Sequence, residues 1–195
     1  MEKILAIFAV AVFSLFGGEA FAQRCLPGMS AVEVRADMVN GFFTGKSRDC
    51  GYNFGLFYSV IKSDNANTWS FGDEYLQTYK PYGEKGRIPV AQFTGEVGYN
   101  LHIVSDYSQT FHLYGGIFAL GGYETVNWGK QVLKDGATIG ADDAFIYGGA
   151  VTLSADFYLS DRFILGAHIK ERFVFGNDTG HFLTQFGVHV KFVIE

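Results

Sequence analysis

The chain is poor in charge, proline and cysteine: Asp, Glu, Lys and Arg make up 18% of 195 residues, with three prolines and two cysteines. Its 20 acidic side chains outnumber 15 basic ones, so it lacks the basic footprint that nucleic-acid binding requires. No low-complexity stretch, charge block or linker interrupts it, and one domain is expected at this length. Cys25 and Cys50 allow at most one disulfide. Beyond the first 22 residues no segment has the ~20 uninterrupted apolar residues that a membrane-spanning helix needs. His102, His112, His168, His181 and His189 have no spacing that reads as a zinc site, and no metal or cofactor is expected.

What is present begins at the N-terminus. Lys3 precedes thirteen uncharged, mostly apolar residues, Ile4 to Phe16, and the segment closes on Ala20-Phe21-Ala22. That order reads as a secretory signal peptide over 1–22, with Gln23 starting the mature domain, 23–195. Arg24 stands where a lipoprotein signal would place a small residue before Cys25. Without Glu2, Glu19 and Lys3 the mature chain keeps 18 acidic and 14 basic side chains, a net charge of −4.

The mature sequence alternates. Val151, Leu153, Ala155, Phe157 and Leu159 share one parity while Thr152, Ser154 and Asp156 take the other, and after "SDR" the pattern restarts at Phe163, Leu165, Ala167 and Ile169. Eight such strands are expected, at about 31–41, 51–64, 68–79, 88–104, 110–123, 145–159, 163–176 and 182–194. The second, fourth and sixth connections are short ("NAN", "SDYSQ", "SDR"), whereas the third ("KPYGEKGR") and fifth ("ETVNWGKQVLKDGATIGADDA") are longer. The first is moderately long, and the five-residue seventh fits the order least well. Short turns at one end, longer loops at the other and an even strand count describe an outer-membrane barrel. Alternation alone also suits a soluble sandwich. Export and the aromatic residues near strand ends (Tyr52, Tyr58, Tyr99, Tyr123, Phe157, Phe163, Phe192) favour an all-β, eight-stranded antiparallel outer-membrane barrel with its oily face in lipid.

In that fold a cationic side chain on the lipid face near mid-membrane costs roughly 2–4 kcal/mol, so Arg35 and Lys191 should turn inward. Closure pairs the first and last strands and brings Glu33, Arg35 and Asp37 beside His189 and Lys191. Lys170 and Arg172 then lie one row over, and Glu96 and Asp156 elsewhere on the wall. Mixed charge inside eight strands, whose interior is just wide enough for side chains, suggests a salt-bridged plug. In "KERF" the middle residue, Glu171, must sit at the outer rim or beside a bulge. Cys25 and Cys50 fall toward opposite ends and are expected to stay apart; the alternative is that "QRCLPGMS" threads the lumen and lets them pair.

Chemical motifs are thin. "DTG" at Asp178–Gly180 lacks the preceding apolar strand of an aspartic protease and reads as a turn. "GGIFALGG" at 115–122 has no Lys-Ser/Thr after it and reads as a strand with close approaches. The blocks "SLFGGEAFAQRCLPGM", "RIPVAQFTGEVGY", "LGGYETVNWGK", "DGATIGADDAFIYGGAVTL" and "TQFGVHVKF" together resemble the TraO family of conjugative-transposon transfer proteins, over nearly the whole chain. The resemblance implies a non-enzymatic envelope component of a mating apparatus, with other transfer proteins as partners and no catalytic residues. A barrel too narrow for DNA would be an accessory or anchoring subunit in outer-membrane lipid, with no direct nucleic-acid contact. The long loop, where Trp128, Gln131, Val132 and Leu133 exceed what a turn needs, is the expected contact surface. Two alternatives stay open: a stand-alone small barrel (adhesin, surface exclusion or apolar-ligand carrier), and a lipid-modifying barrel enzyme with His, Ser and Asp at one rim, for example around His181.

Overall fold

The computed structural model describes residues 27–40, 50–62, 65–82, 86–133, 136–140, 143–177 and 179–194. The expected signal peptide, Cys25 and Asp178 lie outside the described residues. Eight strands follow one another: β1 (Ser30–Val39), β2 (Gly51–Ile61), β3 (Thr68–Tyr82), β4 (Gly86–Ser105), β5 (Phe111–Val126), β6 (Ala144–Tyr158), β7 (Phe163–Phe175) and β8 (Phe182–Ile194). Each pairs antiparallel with the next, and β1 pairs with β8 from Ser30↔Ile194 to Val39↔Gln185, so the sheet closes into a barrel. Closure leaves no sheet edge, which lipid could not satisfy.

The two-residue period decides the faces. Val34, Met38, Leu56, Val151, Leu153, Phe157, Phe163, Leu165, Ile169, Val188 and Val190 all point out and are exposed. Aromatic pairs brace this exterior at neighbouring strands: Trp69–Tyr99, Tyr75–Phe93, Phe111–Phe157 and Phe163–Phe192, with ring centroids 5.0–5.2 Å apart. The parity that points inward carries Glu33, Arg35, Asp37, Asn53, Glu74, Glu96, Asp156, His168, Lys170, Arg172 and His189, all buried.

Large inward side chains need glycine beside them. A Cβ on Gly98 would lie 2.2 Å from the Phe118 ring, and one on Gly72 would lie 2.5 Å from that of Phe57. A Cβ on Gly166 would lie 2.2 Å from His189 Nε2. The glycines of "GGIFALGG" include the same device: a Cβ on Gly116 would strike Asn100 Oδ1 and Thr152 Oγ1. Phe57 and Phe118 meet edge to face at 6.2 Å across the lumen.

The interior is layered, which the alternation rule alone did not anticipate. Val39, Leu76, Phe118, Leu120, Ile146, Val174 and Leu183 form an apolar cluster with Phe57 on the outer-loop side of the charged zone. Ala31, Tyr158, Ile164 and Val193 form another at the end where the chain enters β1.

Two connections differ from expectation. β3 and β4 stay paired from Thr78↔Val90 to Tyr82↔Gly86, leaving only 83–85 between them. The third connection is therefore three residues long, and the reach of the hairpin comes from strand length. β5 likewise runs to Val126, so the long loop covers 127–143. The register of β7 through Glu171 is uninterrupted, which rules out a bulge there. Glu171 faces outward and accepts a hydrogen bond from Thr184 Oγ1 at 2.6 Å. Among the described residues the one register shift lies between His102 and Val104, beside the 106–110 turn.

Candidate functional site

Two features exceed what closure requires: the charged lumen and the 127–143 loop. In the lumen, Lys170 Nζ sits between two carboxylates, 2.8 Å from Glu74 Oε1 and 2.5 Å from Glu96 Oε2, with all three side chains fully buried. Arg172 stands 3.7 and 3.5 Å from the same two carboxylates and donates to Thr94 Oγ1 at 2.9 Å. Arg35 donates to Glu33 Oε1 at 2.6 Å, and its guanidinium lies 3.9 Å over the Phe57 ring, a cation–π contact.

A second chain of contacts runs along the β1–β8–β7–β6 wall. Asp37 lies 3.0 Å from His168 Nε2 and accepts from Asn53 Nδ2 at 2.6 Å. His168 Nδ1 meets His189 Nδ1 at 3.1 Å, so one ring holds the proton that the other accepts. His189 Nε2 and Lys191 Nζ then contact the two oxygens of Asp156 at 2.8 and 2.7 Å. Across both networks five carboxylates (Glu33, Asp37, Glu74, Glu96, Asp156) face four fixed cations (Arg35, Lys170, Arg172, Lys191). A further buried carboxylate, Glu124, is held separately by Gln92, Asn177 and Thr179 at 2.7–2.8 Å.

All nine lumen residues expected from the sequence point inward, but their partners differ from expectation. Lys170 and Arg172 do not turn to the acids of β1. They reach across the lumen to β3 and β4, because a long side chain in a narrow barrel meets the opposite wall as readily as its neighbour. Glu96, expected to stand apart, is thus at the centre. Glu74, Glu124, Asn53 and His168 were missed. Glu74 was legible: Trp69, Phe71 and Tyr75 fix the outward parity of β3, leaving Glu74 inside and Asp73 outside.

These groups have little room for chemistry. Glu33, Arg35, Asp156, His168, His189 and Lys191 share, with Ser59, Ser154 and Tyr158 at the β1 entry end, a cavity of about 50 Å³, enough for a few waters. Among the described residues no cluster of three or more His, Cys, Asp or Glu could hold a metal. At the rim, His181 Nδ1 meets the Val174 carbonyl at 2.9 Å and its ring lies 5.8 Å from Phe175. Cys50 is a free thiol, half-buried just before β2.

The loop is a built element. Asn127–Gly129 make a short 3-10 turn with Asn127 and Trp128 at φ 50° and 56°. Val132 bridges Thr138, and the Ile139 amide donates to the Gln131 carbonyl at 2.7 Å, folding the strip back on itself. Asp143 ties its far end to the barrel by accepting from the Val126 amide at 2.9 Å and the Tyr123 hydroxyl at 3.2 Å. Trp128, Gln131 and Val132 are exposed and Leu133 is half-buried.

Comparison with known proteins fits this architecture. Residues 26–194 match the family model described as conjugative transposon protein TraO. The chain belongs to the TraO family. TraO membership makes it a conjugative-transposon component. Among solved structures, this TraO protein resembles Ail, the attachment invasion locus protein of Yersinia pestis, at 14% identity and TM-score 0.52, covering 87% of this chain and all of Ail. It also resembles the outer membrane protein OprG of Pseudomonas aeruginosa at 13% identity and TM-score 0.50, covering 85% of this chain and 96% of OprG. At such identities the likeness shows the fold alone, an eight-stranded antiparallel barrel shared with outer-membrane proteins. No curated protein matches by sequence.

Proposed function

We propose that this TraO protein is a non-enzymatic accessory or anchoring subunit of the conjugative DNA-transfer apparatus, held in the outer membrane as a closed barrel. The observation that carries the reading is the filled lumen. Ion-paired side chains and two apolar layers occupy the space through which a conducting barrel would pass its cargo. An eight-stranded interior is already only wide enough for side chains, and duplex DNA does not fit it. What such a barrel offers an assembly is its outside.

Residues 1–22 direct export, and the mature domain, 23–195, inserts with the 127–143 loop at the outer end. The loop residues Trp128, Gln131, Val132 and Leu133 contact other transfer proteins, and lipid covers most of the exterior. No direct nucleic-acid contact is part of this reading. The test is mild detergent extraction of tagged protein from the outer membrane of transferring cells. Co-migration with other transfer proteins in a large assembly, with loss of transfer on deletion, is expected. A lone species of about 20 kDa plus micelle, with transfer unaffected by deletion, refutes it.

A further inference from the structure

Asp73 breaks the rule that organises the exterior. It faces outward on β3 between Phe71 and Tyr75 and is exposed. It lies five residues from the inner start of β3 at Thr68, which places it roughly 13 Å into an apolar band about 25 Å tall. That is mid-membrane. Two other polar side chains of the exterior are satisfied within the chain: Gln77 is bonded by the hydroxyls of Tyr52, Tyr75 and Tyr79 at 2.6–3.0 Å, and Glu171 by Thr184. No hydrogen bond or ion pair joins Asp73 to the described residues.

The surroundings of Asp73 form a seat. The register runs Asp73↔Gly95↔Gly121, so two successive positions beside the carboxylate have no side chain. A Cβ on Gly95 would lie 3.5 Å from Asp73 Oδ1. Phe54, Leu56, Tyr75 and Phe93 wall this open depression, whose volume is about 490 Å³. An acyl chain can fill it but donates no hydrogen bond, and lipid head groups lie half a band away. A two-fold contact with a second copy whose axis passes through the depression would set Asp73 against Asp73, like charge on like.

We propose that this depression docks another membrane-embedded protein, which lays an Arg or Lys side chain over Gly95 and Gly121 and pairs its charge with Asp73. The inference rests on the reading that the chain works within a multi-protein assembly, and it adds a lateral contact inside the membrane to the loop outside it. In lipid an ion pair of this kind is specific, since the alternative for both partners is an unsatisfied charge.

The experiment places a photo-crosslinking amino acid at Phe93, beside the depression, or at Val188 on the opposite wall, in cells holding the full set of transfer proteins. Expected is a crosslink from Phe93, absent from Val188, that maps to a membrane-facing segment of a second protein containing Arg or Lys. Asp73→Leu should abolish it while the barrel resists denaturant at least as well as wild type, having lost a lipid-facing charge. Equal products at both positions, no product at Phe93, a product indifferent to Asp73→Leu, or a homodimer of this chain each overturns the proposal. In parallel, a deletion strain is complemented with wild type or Asp73→Leu. Transfer at least tenfold lower with Asp73→Leu supports docking. Full transfer with Asp73→Leu, where deletion abolishes it, overturns docking alone. Transfer indifferent to deletion refutes the transfer-apparatus reading instead.

Discussion

Replacing Lys170 by methionine tests whether the lumen network holds the barrel together or merely fills it. The side chain keeps nearly the same length, so packing changes little while the charge disappears. Its ammonium lies 2.8 and 2.5 Å from Glu74 and Glu96, and none of the three is exposed. Removing one member of a buried ionic set typically costs 3–5 kcal/mol, because the remaining charge is left without compensation. Arg172 stays within 3.7 Å of both carboxylates and relieves part of that, so we expect about 3 kcal/mol. With a urea slope of about 2–3 kcal/mol/M, the unfolding midpoint of the refolded barrel should fall by ~1–1.5 M. Fluorescence of Trp69 and Trp128, or the gel shift of folded against heated barrel, reads the midpoint. Lys170→Met combined with Glu96→Gln should recover at least half the loss, since charge balance returns and Arg172 can turn fully to Glu74. A single variant within ~0.3 M of wild type, or a double variant as weak as the sum of the singles, refutes a coupled network.

Four further outcomes follow from the geometry. Gly98→Ala puts a Cβ into the Phe118 ring and should destabilise the barrel by ~1–3 kcal/mol, and the double change Gly98→Ala, Phe118→Leu should relieve it; an unfolding titration measures both. Asp143→Ala removes the tie to Val126 and Tyr123, so the 127–143 loop should be cut faster by protease on intact cells while the barrel core stays resistant. Trp128→Ala with Leu133→Ser should lower transfer frequency at least tenfold without moving the unfolding midpoint. In the 106–110 turn, Asp106 accepts the Phe111 amide, the Ser108 hydroxyl and the Thr110 amide, which holds its carboxyl below the usual value of 3.8. The ionised form therefore supports the turn above about pH 3.8, and that support fades as pH falls through the lower native value. A carboxyl NMR titration with its midpoint at or above 3.8 would contradict this.

The barrel was readable because its physical rule is local. Each strand has to present alternate residues to lipid, so the parity of Phe157, Phe163 or Val188 can be assigned from a few neighbours. Closure then brings β1 to β8, and the inward direction of Arg35, Lys170 and Lys191 follows from the cost of the alternative. Partners inside the lumen were not readable by that rule. Lys170 and Glu96 are 74 residues apart and meet across the bore, a contact set by barrel shear and side-chain reach. The apolar layers at Leu76, Ile146 and Val174 escaped for a related reason: a filled interior buries either kind of side chain, so inward does not mean polar. Strand ends escaped as well. A hairpin such as β3–β4 keeps pairing past the band, where composition turns polar and looks like loop.

The same rule gives an exterior charge more meaning here than in a soluble protein. On a water-facing surface Asp73 would need no account, because water satisfies a carboxylate at no cost. In lipid it must find a donor, and its outward direction is fixed by Trp69, Phe71 and Tyr75 on either side. Glu171 meets the same demand within the chain, through Thr184. Asp73 does not meet it among the described residues. With the lumen filled by its own side chains, recognition is expected at the face that the strands turn outward.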